Sequence, residues 1–344
     1  MGLAVLALLL ALSPGSSAAL PEDRIWFSPS PGSIDYQQLF ERPEEWPHAR
    51  QIVSVFKFYQ QHTQTPPADI VGPNTYDALT RVGAFRLINR WGKKIALEVG
   101  AVKEFYCTPD ASGMNTAIAN TLSSLRAVKA AGGAVAYLAM DDPFAAGKAA
   151  VCGGPAPEPT ADRIATYVRG VKSEFPDVRI GMIEAYPTSS EPDLEKILDL
   201  LRDRNVAPVF LHADVDSRGL RPGRDDFTRD MRALRKACAD RNIAFGIIVW
   251  GYDGNSDVLY SRDTGRLATE ITDAFPTWND MPDQLILQSW AVSDTRPFQC
   301  ARGSDDGDLG ADERFVSGKT WPRISICAAA GTRMRHGRND QANA

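Results

Sequence analysis

Several acidic side chains stand at the C-terminal ends of apolar runs, where packing gives no reason for a charge. Glu98 falls in "KIALEVGAV", Asp141 and Asp142 in "AVAYLAMDDPF", Glu184 in "RIGMIEAYP", and Asp214 and Asp216 in "PVFLHADVD". Asp253 follows Trp250 and Tyr252 in "AFGIIVWGYDG", and "LILQSWAVS" adds Gln288 and Trp290. Carboxylates facing aromatic platforms suit a neutral, hydroxyl-rich ligand, whose apolar ring faces stack while its hydroxyls need acceptors. Two carboxyl groups of unequal proton affinity can also do chemistry. One donates a proton while the other acts as base or nucleophile, which is the pair that cleavage of a glycosidic bond requires. Crowding produces that inequality, because a second carboxylate beside the first resists ionisation.

The elements that must position these groups are legible as eight apolar runs of strand length. They cover residues 24–29, 52–59, 94–100, 134–140, 179–185, 208–214, 244–250 and 284–290. Most segments between them carry helical periodicity. "MNTAIANTLSSLRAVKAAGG" spaces Ile118, Leu122, Leu125 and Val128 by three and four and ends in a Gly pair suited to a C-cap. "TADRIATYVRGVKSEFPD" opens on Thr160 as a candidate N-cap, and "SSEPDLEKILDLLRDRN" lines up Leu194, Ile197, Leu198 and Leu201. The segment between the first two strands is short and contains proline, so its helix should be brief. Alternation over eight units predicts a single-domain α/β fold, a (β/α)8 TIM barrel over residues 24–293. A doubly wound open sheet is the competing layout, and it lacks the Gly-rich phosphate loop after the first strand. Residues 294–344 show no apolar period and read as an irregular, partly disordered tail.

Barrels of this kind place chemistry at the C-terminal ends of their strands. That rule makes Glu184, Asp142, Asp214 and Glu98 the catalytic candidates, with Glu184 and Asp142 leading. Asp141, His212, Asp216, Trp250, Tyr252, Asp253, Gln288 and Trp290 are the substrate-binding candidates. Strand side chains alternate, so Asp141 and Asp142 cannot both face inward, and Pro143 favours an extended backbone at Asp142. Each candidate has a plainer reading. Glu184 could be a buried structural carboxylate, Asp142 a backbone cap, Glu98 the partner of Lys57 or Lys103, and His212 a core residue. The Asp-x-Asp of Asp214 and Asp216 could bind a divalent cation, but no further ligands stand at fixed spacing. Neither a metal nor a cofactor is expected. There is no Ser-His-Asp elbow, HExxH or P-loop.

On these motifs, "AMDDPF", "IEAYP" and "HADVD", the chain resembles secreted glycoside-hydrolase-like (β/α)8 proteins over residues 24–293. The resemblance implies an oligo- or polysaccharide substrate and two-carboxylate catalysis. Many such enzymes carry Asn-Glu at the end of strand four and Glu at the end of strand seven. This chain has Asp141–Asp142 and only Asp253 there, which points to Glu184 on strand five. Families with aspartates on strands four and six also exist, and Asp142 with Asp214 fits them. Two alternatives stay open: a carbohydrate-binding barrel without catalysis, and a metal-dependent hydrolase using Asp214, Asp216 and His212. A second likeness, of residues 56–83 to a peptidoglycan-binding repeat, covers one partial motif, and Pro73–Asn74–Thr75 is equally an ordinary helix start.

The bulk numbers fit this picture. The 344 residues are 44% hydrophobic and 24% charged, an ordinary globular balance, and the net charge of −5 argues against nucleic acid as a partner. Residues 1–19 read as a signal peptide, too short in its apolar core to span a membrane, so a secreted or periplasmic protein with no anchor after cleavage is expected. Of the five cysteines, Cys107 and Cys152 follow consecutive strands, which would put them on one face of a barrel and within reach of a disulfide. Cys300 could pair with Cys327, and Cys238 reads as a buried free thiol.

Overall fold

Eight parallel strands pair in sequence order, and the last pairs with the first to close a barrel. A computed structural model describes residues 23–104, 111–147, 156–216, 226–251, 257–277 and 280–289. The strands are β1 (Ile25–Ser28), β2 (Val55–Tyr59), β3 (Lys94–Val99), β4 (Val135–Asp141), β5 (Arg179–Tyr186), β6 (Phe210–Val215), β7 (Ala244–Val249) and β8 (Gln284–Gln288). All eight predicted strands are therefore present. The second begins three residues late, because Pro47 opens a short helix that runs on to Ile52.

Between β1 and β2 lie the brief helices α1 (Gln38–Glu41) and α2 (Pro47–Ile52), with a 3₁₀ turn at Pro43–Glu45 between them, as the proline content predicts. Thr75 caps α3 (Tyr76–Arg81), its hydroxyl accepting the Ala78 N–H at 3.3 Å, so Pro73–Asn74–Thr75 is a helix start. Then follow α4 (Ala84–Arg90), α5 (Ala111–Ala130), α6 (Pro143–Gly147) and α7 (Pro157–Lys172). The last three are α8 (Glu191–Asp203), α9 (Asp226–Asp240) and α10 (Asp257–Ala274). Helix α5 ends at the predicted glycines: Gly132 takes φ +81°, and the Gly133 N–H reaches back to Val128 O at 2.9 Å. Thr160 does not cap α7. Pro157 starts that helix earlier, with its fixed φ suited to the first turn, and leaves Thr160 buried inside it. Cys238 on α9 is a buried free thiol, as expected. The other four cysteines, and the predicted signal and tail, lie outside the described residues.

Strand register decides which side chains enter the barrel. Trp26 of β1 meets Tyr137 of β4, Phe210 of β6 and His212 of β6 at ring-centroid distances of 5.0, 5.2 and 4.9 Å, so these four fill the lumen. A Cβ on Gly181 would stand 2.4 Å from the Phe210 ring, so a glycine beside it gives the ring its space. Below this layer Asp23 accepts from Lys94 at 2.6 Å and from Tyr137 and Arg179, whose guanidinium lies 4.0 Å over the Tyr137 ring. This polar cluster closes the lower end. From the lumen position of Trp26, pairing and alternation carry one face round the barrel: Lys57 with Ala96, Glu98 with Ala139, Asp141 with Ile183, Ala185 with Asp214, Ser28 with Gln288. A register shift at Ile95/Ala96, one extra residue in β4, is what turns Tyr137, Ala139 and Asp141 inward.

Candidate active site

The upper end of the lumen is polar. Lys57, set in the aromatic run "VFKFY", is buried and donates to both Glu98 and Gln288, while Gln288 Nε2 also donates to Glu98 Oε2 at 3.2 Å. A lysine cannot be buried without partners, and Glu98 with Gln288 supplies them. Glu98 thus forms the internal ion pair that was one of its two readings, with Lys57 rather than Lys103. Burial raises the Glu98 carboxyl above its ordinary range, Lys57 opposes that, and Asp141 adds to it. Two tyrosines brace the same corner. Tyr59 OH donates to Ser289 O at 2.8 Å and Tyr260 OH, from α10, to Gln288 O at 2.6 Å, fixing the end of β8.

Asp141 and Asp142 diverge, as alternation requires. Asp141 faces the lumen and accepts from Lys103 Nζ at 2.7 Å. Asp142 is not extended: its φ is +47°, a left-handed turn that aspartate tolerates better than most residues. The turn begins α6 at Pro143 and swings the Asp142 carboxyl over the end of β5, where Oδ1 accepts the Ala185 N–H at 2.9 Å. Lys103 Nζ lies 3.5 Å from its Oδ2. Burial and then Asp141 raise the Asp142 carboxyl to about 6, while Lys103 and the Ala185 amide hold it down.

Asp214 shares this mouth under different conditions. Burial raises its carboxyl well above the usual range, Asp142, Asp141 and Glu98 raise it further, and Lys57 pulls the other way. Its buried Oδ1 has no hydrogen-bond partner among the described residues. One mouth therefore holds a carboxyl supported by a lysine and a backbone amide, and another supported by neither.

The leading candidate is elsewhere. Glu184 pairs with Ala213, so it points out of the barrel toward the helices, and Ala185 takes the lumen position. Glu184 is fully buried, and the Phe144 and Ala145 N–H groups, which open α6, donate to its two oxygens at 2.7 and 3.0 Å. The glutamate anchors the helix that follows Asp142. Its carboxyl is raised well above the usual range by burial and by Asp142.

His212 faces the lumen, but two residues below Asp214. Its ring stacks on Phe210 at 4.2 Å, and Nε2–H donates to Gln284 Oε1 at 2.7 Å. It is a core residue, which takes it away from both ligand binding and metal binding. No group of three or more His, Cys, Asp or Glu among the described residues is arranged to hold a metal. The Asp216 N–H donates to Tyr186 O at 2.9 Å, tying the ends of β5 and β6 together. Trp250 lies almost buried at the end of β7, next to Gly251, where an added Cβ would stand 2.1 Å from Tyr260 O. Tyr252, Asp253 and Trp290 lie outside the described residues. Glu98, Asp141, Asp142, Asp214 and Gln288 come together. Lys103 and Lys57 entered the sequence reading only as partners for Glu98, and Tyr59 and Tyr260 not at all. The signals for Lys57 and Tyr59 were a cation inside an aromatic strand and a tyrosine two residues on.

No family model matches the sequence, and no curated protein matches it. Among solved structures the chain is similar to a glucosidase from Croceicoccus marinus (14% identity, TM-score 0.51, 83% of this chain and 68% of that one). It is similar also to an intracellular xylanase from Thermoanaerobacterium saccharolyticum (9%, TM-score 0.50, 80% and 87%). A third is a Cellulomonas fimi endo-β-1,4-mannanase double mutant (12%, TM-score 0.52, 79% and 66%). These structural neighbours are glycoside hydrolases, and at such identities what this chain shares with them is the closed (β/α)8 TIM barrel.

Proposed function

We propose that the protein is a glycoside hydrolase in which Asp214 on β6 is the general acid and Asp142 after β4 the base or nucleophile. The observation that carries this reading is the contrast within one mouth. Asp142 is supported in its charged form by Lys103 and the Ala185 amide, and Asp214 is buried among carboxylates without such support. Lys103 and the Ala185 amide favour the charged form of Asp142, and burial among carboxylates favours the protonated form of Asp214, the division that glycosidic cleavage demands. Glu98, Gln288 and Asp141 line the same opening and offer acceptors to sugar hydroxyls, and Trp250 offers an apolar face. The three fold neighbours, a glucosidase, a xylanase and a mannanase, are enzymes of this class. Export is part of the proposal, on the strength of the signal-like sequence of residues 1–19, and the substrate class proposed is an oligo- or polysaccharide.

The test is a screen of polysaccharides and chromogenic glycosides with wild type, Asp142→Asn and Asp214→Asn. Hydrolysis by the wild type and loss of about 100-fold or more in each variant supports the assignment. Saturable glycan binding without turnover would favour the second reading, a barrel that holds sugar without cutting it. That reading draws on the lysines already engaged by Glu98 and Asp141.

A further inference from the structure

Lys103 stands in the 3₁₀ turn Ala101–Glu104 directly after β3, and Ala101 at its head has φ +45°. A left-handed alanine is strained, and the surroundings must hold it there. From this turn the ammonium crosses to β4, 2.7 Å from Asp141 Oδ2 and 3.5 Å from Asp142 Oδ2. Asp142 thus meets positive partners at both oxygens, Lys103 on one side and the Ala185 N–H on the other. The other charged groups bearing on it come from three strands: Asp141 at the end of β4, Glu184 on β5 and Asp214 on β6. Lys57, the other cation of the mouth, donates to Glu98 and Gln288. Among the described residues, then, Lys103 is the one cation that touches Asp142, and none touches Asp214.

We propose that Lys103 is a positioning residue that decides which carboxyl of the Asp142–Asp214 pair carries the proton. Its ammonium keeps Asp142 ionised and leaves the proton on Asp214, and without it the two aspartates lose their division of labour. The significance of this for catalysis rests on the glycosidase reading, but the proton distribution itself does not. The surroundings agree in direction. Burial opposes the charge on Lys103, yet Asp141, Asp142 and Glu98 outweigh it and hold the ammonium above its ordinary range.

The experiment titrates the aspartate carboxyl carbons of the intact, labelled protein by NMR in wild type, Lys103→Met and Lys103→Arg, with Asp142→Asn and Asp214→Asn spectra giving the assignments. The Lys103 side chain is 45% exposed, so its truncation opens no core. In Lys103→Met the Asp142 midpoint should rise by about one pH unit or more, with Lys103→Arg close to wild type. On any glycoside the wild type cleaves, the acid limb of kcat/KM should move alkaline by the same interval, a roughly tenfold loss at low pH, and recover in Lys103→Arg. A purely structural lysine would lower the melting temperature and leave both profiles in place. An Asp142 midpoint unmoved in folded Lys103→Met overturns the proposal. Because the titration needs no substrate, absence of glycosidase activity would leave it readable, and an unmoved midpoint would leave the glycosidase reading open.

Discussion

Replacing Glu184 separates an anchoring role from a catalytic one. Its two oxygens accept the N–H groups of Phe144 and Ala145, and Phe144 is fully buried. Glu184→Ala leaves the Phe144 donor without a partner at a cost of about 1–3 kcal/mol, and adds a smaller term for Ala145, which water can reach. Removing a buried carboxyl whose proton affinity is already raised returns part of this, because the ionised form is penalised at neutral pH. The expected net loss is about 1–3 kcal/mol, or roughly 2–12 °C in melting temperature for a domain of this size. Glu184→Gln keeps one acceptor but turns an amide N–H toward the other donor, so it should lose about half as much. The assay is thermal unfolding by circular dichroism beside turnover at a temperature where all variants are folded. Activity should fall modestly, through loosening of α6 beside Asp142. A melting temperature unchanged in Glu184→Gln with turnover down about 1,000-fold or more would make Glu184 a reacting group and refute its outward placement.

Three further outcomes follow from the buried charges. Lys57→Met strands the Glu98 carboxylate in the lumen and should cost about 3–5 kcal/mol at pH 7, read by denaturant unfolding, with part recovered in Lys57→Met/Glu98→Gln. Asp214 has a raised carboxyl in the fold, so its stabilising contribution is present below the unfolded value and is lost as pH climbs past it. Asp214→Asn should therefore melt at or above the wild-type temperature at pH 7.5 while losing turnover, and should gain nothing at pH 4. His62 is the opposite case: burial lowers it to about 4, with Nδ1 accepting the Tyr59 N–H and Nε2–H donating to Pro31 O. Its stabilising contribution is present above the unfolded histidine value and is lost as pH falls from about 6.5 toward 4, at about 1.4 kcal/mol per pH unit. His62→Gln, which can keep both hydrogen bonds, should flatten that slope in pH-dependent melting curves.

The barrel was legible because strand and helix periods alternate over most of the chain, and because Gly132 and Thr75 punctuate helices in the expected way. Asp142 and Asp214 were legible as polar ends of apolar runs. The direction of Glu184 was not. In "GMIEAY" both faces of the strand are buried, so no polar alternation marks the lumen, and only register against Ala213 and Asp214 sets it. The turn at Asp142 was misread for a related reason. Pro143 disfavours a right-handed helical conformation before it, and the left-handed alternative depends on an acceptor for the Ala185 amide that comes from long-range pairing. Tyr260 reaches β8 from a helix, a contact no local pattern announces.

The pairing of Asp214 as acid with Asp142 as its charged counterpart is tested most directly by leaving-group dependence. Wild type and Asp214→Asn would be compared on aryl glycosides graded from poor to good leaving groups. A general acid matters most where the departing oxygen needs a proton. The variant should lose about 100- to 10,000-fold on the poorest leaving groups and little on the best. Equal losses across the series, or a folded wild type that cleaves no glycoside at all, would contradict it.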